Sequence, residues 1–467
     1  MRILHVIHTF PPYTRAGSEN YLETLAREQS RRHTVAVLHA ISDPRRPEYE
    51  LTESDLDGLP VARINRTFRD YSRFSDTYRS ESVAKAFDSY LGRFAPDVVH
   101  FHHIGNLSVD CVDRAKRYGA PVVFTLHDFW LFCARGQLFR RDLTVCHRNS
   151  RADCVRCMAL RLPVAGGEPR VRDLWGRAER LRRLGLPADI HRRLASVPFR
   201  KERAALEEID ARFHGMLEMC DRVDRFVSPS RFLRDRVIEL GIPAAKIVVA
   251  DNGYDLSTSS ERRSPAPDGR LRFGFLGTWM PTKGVDLLIR AVAGLDPSQA
   301  SLDVHGYAVP YEGVEDYEAQ LRDLAKGVSH IRLHGRYEPE DVPRLLAEVD
   351  VLVVPSRWYE NSPLTIHEAR LAGVPVVAAG HGGMAEYVED GVDGLHFRPG
   401  SHRSLRRILR QLIENRDLVG RLRRGRRPVV GIADHAEVLE ALYREVGVRE
   451  RSPERRAAAP LRGALLR

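Results

Sequence analysis

Residues 351–377 read VLVVPSRWYENSPLTIHEARLAGVPVV, and their order decides the fold. Val351–Val354 is a short, wholly apolar run, the pattern of a strand buried on both faces of a parallel sheet. Pro355 ends it, and a loop carrying Trp358, Tyr359 and Glu360 follows. Ser362 is a good helix N-cap, and Pro363 suits the first helical position, where a missing N–H costs nothing. Gly373 closes the helix and Pro375 opens the next strand. The unit sets a helix N-terminus at the carboxyl end of a parallel strand, the edge where open α/β sheets bind ligands. Free N–H groups over residues 362–365 and the helix dipole make an anion site there, for which a diphosphate is the natural ligand. Glu360 precedes the cap and can reach the crevice. Glu368, near the second helical turn, is placed for ribose hydroxyls.

The same alternation of short β-rich runs and helical patterns extends in both directions, which points to α/β architecture with parallel sheets. Strands are expected at Ile3–Ile7, Thr34–His39, Asp97–His102, Pro121–Leu126 and Asp224–Val227 in the first half. In the second half they are expected at Leu271–Leu276, Leu302–His305, Ile331–His334, Val351–Val354 and Pro375–Ala379. Between the halves, residues 257–270 read STSSERRSPAPDGR, a polar, proline-bearing linker without apolar periodicity. The expected organisation is a first domain over 1–243, with an Arg-rich, Cys-bearing, largely helical insertion at about 130–220, and a second domain over 244–425. A C-terminal helix at 426–450 is placed to return to the first domain, and 451–467 reads as a disordered tail.

Composition agrees with this. The chain has 467 residues, 43% hydrophobic and 29% charged, which excludes a mostly disordered or collagen-like chain. No apolar run approaches the 18 or so residues that a membrane-spanning helix needs. The N-terminal residues read as a strand rather than a secretory leader, and six cysteines do not make a secreted disulfide framework, so a cytoplasmic location is expected. The net charge is +10, concentrated in residues 158–203 and 401–467 and carried almost entirely by arginine. Such segments suit anionic lipid, nucleic acid or an acidic polymer, or are simply a solvated face. The absence of an interleaved aromatic–basic motif argues against nucleic acid.

Three further constellations carry chemistry. Phe275–Val285 reads FLGTWMPTKGV after a strand and before a helix: Gly277 lets backbone approach a ligand, and Lys283 can neutralise phosphate. Its spacing fits neither a Walker A loop nor a G-x-G-x-x-G fingerprint. His127-Asp128 sits at the carboxyl end of the Pro121–Leu126 strand, as His102-His103 does at the end of Asp97–His102, so His127 is expected to face the cleft. Cys133, Cys146, Cys154 and Cys157 lie within 25 residues. They read as a closed structural zinc site or as reduced, redox-active thiols.

Together these motifs resemble glycosyltransferase family 4, the retaining enzymes of glycosyltransferase group 1. The resemblance rests on Gly17-Ser18-Glu19, Leu126-His127-Asp128, Val227-Ser228-Pro229-Ser230, Asp251-Asn252-Gly253-Tyr254-Asp255, Phe275–Asp286, Glu360-x7-Glu368, Gly382-Gly383 and Glu389–Leu395. It implies the GT-B fold: two Rossmann-like doubly wound domains facing across a cleft. It implies transfer of a sugar, with retention, from a nucleotide-sugar donor to a glycan, lipid-linked or small-molecule acceptor, as in cell-envelope polysaccharide biosynthesis. Catalytic roles fall on His127, Lys283 and Glu360. Donor binding falls on Gly17, Gly277, Thr278, Lys283, Asn361, Ser362, Pro363, Leu364, Glu368 and Tyr337. No cofactor is implied for catalysis. His305-Gly306 and Gly335-Arg336-Tyr337 are expected near the nucleobase. Thr278 departs from the family, which commonly has arginine there; one cation is then either missing or supplied from elsewhere, with Arg357 a candidate. The rival readings are a nucleotide-sugar epimerase or phosphorylase of the same architecture, and a non-catalytic scaffold with a basic surface. A lipid-linked acceptor would place the protein peripherally on an anionic membrane.

Overall fold

A computed structural model describes residues 1–147, 150–158, 202–256, 268–311 and 314–448. The first sheet contains β1 (Arg2–Ile7), β2 (Thr34–Ile41), β3 (Leu51–Leu56), β4 (Leu59–Asn65), β5 (Val98–Phe101), β6 (Val122–Thr125), β7 (Arg225–Ser228) and β8 (Ile247–Val249). Its order is β3-β4-β2-β1-β5-β6-β7-β8, parallel except for β3 against β4. The second contains β9 (Leu271–Leu276), β10 (Ala300–His305), β11 (Ile331–Leu333), β12 (Val351–Val354), β13 (Val376–Ala379) and β14 (Gly394–Phe397), all parallel, in the order β11-β10-β9-β12-β13-β14. The protein is thus built from two Rossmann-like α/β domains.

The sequence of the inner strands follows from this topology. Every residue of β12 and β13 is buried, because helices cover both faces. In each sheet the strand order reverses beside the first strand of its domain: β1 lies between β2 and β5, and β9 between β10 and β12. Those reversals open a crevice at the carboxyl ends of the strands.

The β3–β4 hairpin, β8 and β14 fall outside the sequence-based expectation. The hairpin's first strand, β3, is a polar edge strand without an apolar run, whereas β4 lies inside the sheet and is largely buried; the hairpin's signal is Asp57-Gly58, both at positive φ (51° and 84°), which favours a tight turn. Strand β8 pairs with β7 beyond residue 243, so the first sheet extends past the expected boundary, to Val249. The expected linker core at 257–267, residues 159–201 of the insertion and the tail at 451–467 lie outside the described residues.

Helix Ile432–Glu445 belongs to the first domain's packing. Ala436, Leu439, Leu442 and Tyr443 share one core with Ile3, Ile7, Tyr21, Leu22 and Leu25. The chain passes between the domains twice, and the passages are tied: Tyr254 N–H donates to Val430 O at 3.0 Å, and Ile432 N–H to Tyr254 O at 2.8 Å. Among the described residues no helix is long and apolar enough to cross a membrane.

Candidate functional site

The carboxyl edges of the two sheets enclose a cleft of about 430 Å³. Gly17 and His127 line it from the first domain; Gly277, Thr278, Lys283, Tyr337, Glu360, Asn361, Ser362, Pro363, Leu364 and Glu368 line it from the second. All twelve residues singled out for catalysis or donor binding therefore converge. Two helix N-termini meet across the gap. Helix Gly17–Ser30 starts opposite helix Leu364–Leu371, and a methyl group on Gly17 would sit 3.6 Å from Leu364 Cδ1. Their N–H groups and dipoles make this an anion-attracting point of the cleft.

Ser362 does not cap its helix. The helix begins at Leu364, with Pro363 in the cap position and no side-chain cap bond. The Ser362 hydroxyl instead donates to Asp251 Oδ1 at 3.2 Å, and Asp251 also accepts from Tyr387 at 2.6 Å. Withdrawing the cap leaves the terminal N–H groups without an internal side-chain acceptor, which suits a ligand oxygen.

Glu360 is only 6% exposed. Its Oε1 accepts from Lys283 Nζ at 2.7 Å, Ser356 Oγ at 2.7 Å and Trp358 Nε1 at 2.8 Å. The two residues given separate tasks on the sequence are thus one ion pair, since a carboxylate this deeply buried needs a compensating cation. Among the described residues Glu368 has no such partner, and burial pushes its carboxyl up to about 7. Burial likewise raises Asp251 to about 6 and lowers His127 to about 4, so His127 is neutral at pH 7. The domains touch here as well: Asn361 Nδ2 donates to the His127 carbonyl at 2.8 Å.

Arg357 does not replace the missing arginine. Its guanidinium donates to Asp286 Oδ2 at 2.6 Å and to Pro281 O at 3.2 Å, which ties it outside the cleft lining. The guanidinium groups that do line the cleft, among the described residues, are Arg15 and Arg336. Neither stood out in the sequence as a phosphate ligand, because an arginine-rich chain gives no single arginine a signal. Gly306, Arg336 and Tyr337 line the cleft, but His305 stacks on His334 with ring centroids 4.2 Å apart, and it and Gly335 are not in the lining. Asp251, Ser356 and Trp358 were missed as site residues because their roles depend on partners far away in sequence.

Cys133, Cys146, Cys154 and Cys157 line a second, small cavity of about 30 Å³. Burial pushes the Cys154 thiol up to about 12 and raises Cys146 and Cys157, so these three are thiols rather than thiolates. No three of the four sulfurs lie within 4.8 Å of one another; among the described residues that criterion selects only His5, His100 and His102. The expected tetrahedral site is therefore gathered around one cavity but not assembled.

The Glycosyltransferase Family 4 model matches residues 15–159 and 166–258, and the model for group 1 glycosyl transferases matches residues 257–427. A D-inositol 3-phosphate glycosyltransferase of Geodermatophilus obscurus is 31% identical over 225 residues, covering 45% of this chain and 50% of the relative. The lipopolysaccharide 1,2-N-acetylglucosaminetransferase of Salmonella typhimurium is 26% identical over 194 residues, covering 38% of this chain and 50% of the relative. The matched segments thus span about half the length of these relatives. Anabaena HepE in complex with UDP and glucose aligns over 94% of this chain and 98% of its own, with a TM-score of 0.60 at 18% identity. Sucrose-phosphate synthase from Thermosynechococcus elongatus aligns over 96% and 99%, with a TM-score of 0.63 at 14% identity. These structural likenesses establish the GT-B fold.

Proposed function

The chain belongs to glycosyltransferase family 4, and we propose that it transfers a sugar from a nucleotide-sugar donor to a glycan or lipid-linked acceptor with retention at the anomeric carbon. One observation carries this reading. Two opposed helix N-termini, Lys283, Glu360 and Glu368 meet in one interdomain cleft. The solved HepE structure that shares the fold holds UDP and glucose, which supports the same class of donor here.

The diphosphate would lie between the helix starts at Gly17 and Leu364, with Lys283 as its mobile cation. Fixed dipoles aimed at a leaving group stabilise the charge that develops on it without reorganising. The ribose would lie on Glu368. Glu360, oriented by three donors to one oxygen, would hold the sugar hydroxyls while Lys283 turns part of its charge to the phosphate. His127 would face the sugar from the other domain. The acceptor would enter on the leaving-group face, and a donor phosphate oxygen would take its proton. Arg15 and Arg336 are the cations available for the role left open by Thr278.

The test is a product assay across a nucleotide-sugar panel with glycan and lipid acceptors, running wild type beside Glu360→Gln and Lys283→Ala. Nucleotide release with a new glycosidic bond, lost in both variants, is expected. Failure to bind any nucleotide sugar would overturn the proposal; a stable isomerised donor or a sugar phosphate product would redirect it to an epimerase or a phosphorylase. For a lipid-linked acceptor, co-sedimentation with anionic vesicles at low salt is expected. Equal recovery with neutral vesicles would argue for a soluble acceptor.

A further inference from the structure

Behind His127 a file of histidines runs into the core of the first sheet. His127 Nε2 lies 3.3 Å from His102 Nδ1; His102 Nε2 lies 3.0 Å from His5 Nδ1; His5 Nε2 lies 2.8 Å from Gln29 Oε1. His5, His102 and Gln29 are wholly buried. Three of these groups sit on elements whose place is already set: His5 on β1, His102 at the end of β5, and Gln29 on helix Gly17–Ser30. His100 stacks on His102 with centroids 4.2 Å apart. It is itself held by the Tyr443 hydroxyl at 2.7 Å and the Thr125 hydroxyl at 2.8 Å. The trio of His5, His100 and His102 that meets the spacing for a metal is thus already taken up by hydrogen bonds.

The file has a direction. A neutral imidazole carries one proton, so one nitrogen donates and the other accepts. The Gln29 carbonyl only accepts. His5 therefore carries its proton on Nε2 and accepts at Nδ1. His102 must then donate from Nε2 and accept at Nδ1, which leaves His127 donating from its own Nε2. Nδ1 of His127 makes no hydrogen bond among the described residues, and its ring lines the cleft. Burial keeps the file neutral, because each member is held well below its ordinary range.

We propose that Gln29, His5 and His102 are positioning residues that lock His127 as its Nε2–H tautomer. They thereby present a proton-free Nδ1 to the cleft, where it accepts a hydrogen bond from a hydroxyl of the bound sugar. The last step rests on the sugar-transfer reading above; the tautomer does not. A lone histidine at a cleft exchanges between tautomers and offers the wrong one part of the time. A file anchored on an amide removes that freedom without storing charge, and it places the control of the reacting side chain on the opposite end of the first helix.

The experiment is NMR on the full chain labelled with ¹⁵N-histidine, with His127 assigned by loss of its signals in His127→Asn. Long-range couplings from the ring carbons' hydrogens report which nitrogen holds the proton. The expected result is Nε2–H for His127 in wild type, a mixture of tautomers in Gln29→Leu and His102→Leu, and recovery in His102→Gln, whose amide can donate to His5 while accepting from His127. The donor kcat should fall by about tenfold in Gln29→Leu, the scale of one hydrogen bond, with KM changed much less. An Nδ1–H tautomer in wild type would overturn the proposal, since it means that the file runs the other way. So would an Nε2–H tautomer that survives both leucine variants. Because the spectra need no substrate, the expected tautomers in a protein that turns over no donor would sink the proposed function and the role of Nδ1, while the locked tautomer would stand.

Discussion

At the scale of single residues, the cleft is built from carboxylates whose environments differ sharply. Glu360 is neutralised by a lysine, whereas Glu368 faces the cleft with no cation beside it among the described residues and with its carboxyl pushed up to about 7 by burial. Two ribose hydroxyls donate hydrogen bonds, so the ionised form of Glu368 is the one that binds. Nucleotide affinity is therefore expected to be full above the pKa and to fall by up to about tenfold per pH unit below pH 7. Calorimetry in buffers of different ionisation enthalpy should show proton release on binding near pH 6.5. Glu368→Gln should bind more weakly than wild type at pH 8 and lose the pH dependence; a retained dependence would place the titration elsewhere. Gly383 is a second residue-scale constraint. Its N–H donates to the Glu360 carbonyl at 2.6 Å, and a methyl group there would lie 1.9 Å from the Asn361 carbonyl oxygen. Gly383→Ala must shift the Glu360–Asn361 loop, at an expected cost of about 1–3 kcal/mol. A thermal melt and a donor Kd measured together check this, and unchanged values for both would refute it.

At the scale of elements, the contacts between domains use the same physics as the site. Helix Arg231–Glu239 of the first domain starts at Ser230, whose side chain caps Leu233 N–H at 3.2 Å. Its first two N–H groups are taken by Glu386 of the second domain, at 3.0 and 2.9 Å. The Tyr387 hydroxyl, which donates to Asp251, also lies against the Pro229 carbonyl of the first domain. A carboxylate capping a helix is worth about 0.5–2 kcal/mol. Glu386→Ala is expected to lose that much of interdomain coupling, seen as earlier, separated unfolding of the two domains in calorimetry; a single unshifted transition would show that the cap does not couple them. The cysteine loop is an element of another kind, with three segments converging on one small cavity. Zinc would draw the four sulfurs together and deprotonate them, because thiolates are the ligands. About one zinc per chain is expected by metal analysis of reduced protein, with chelation lowering the melting temperature. Metal-free protein that takes up neither zinc nor cobalt would leave the loop as packed thiols.

At the scale of the whole molecule, buried histidines set the acid limit. Burial holds His5, His39, His127 and His435 at about 4 and His8 at about 3, and pushes His100, His102 and His367 well below the ordinary value. In the unfolded chain each takes a proton near pH 6.5. Below that pH the unfolded state binds more protons than the folded one, so stability falls as pH falls. Asp251 and Glu368 oppose this, since their raised values favour the folded state as pH drops from 7 towards 4. Two groups do not offset eight. A cooperative loss of melting temperature between pH 7 and pH 5 is expected; a flat profile would mean that the histidines are reached by water.

Much of the architecture was legible because its signals are local. Apolar runs such as Val351–Val354, a glycine closing a helix and a proline opening a strand need no knowledge of the fold. In an α/β chain their alternation places each strand's carboxyl end, and so the cleft lined by Lys283, Glu360 and Glu368. Strand β3 escaped because an edge strand need not be apolar on either face. Pairing was not legible, because partners distant in sequence meet only once both sheets are built. That is why Lys283 proved to be Glu360's counter-ion, why Ser362 serves Asp251 instead of its helix, and why Arg357 is spent on Asp286. The fold class and the residues that reach the cleft follow from local patterns in the chain. Their partners, charges and tautomers come only with the packed fold, because these depend on burial and on distances of about 3 Å between segments that local patterns do not relate.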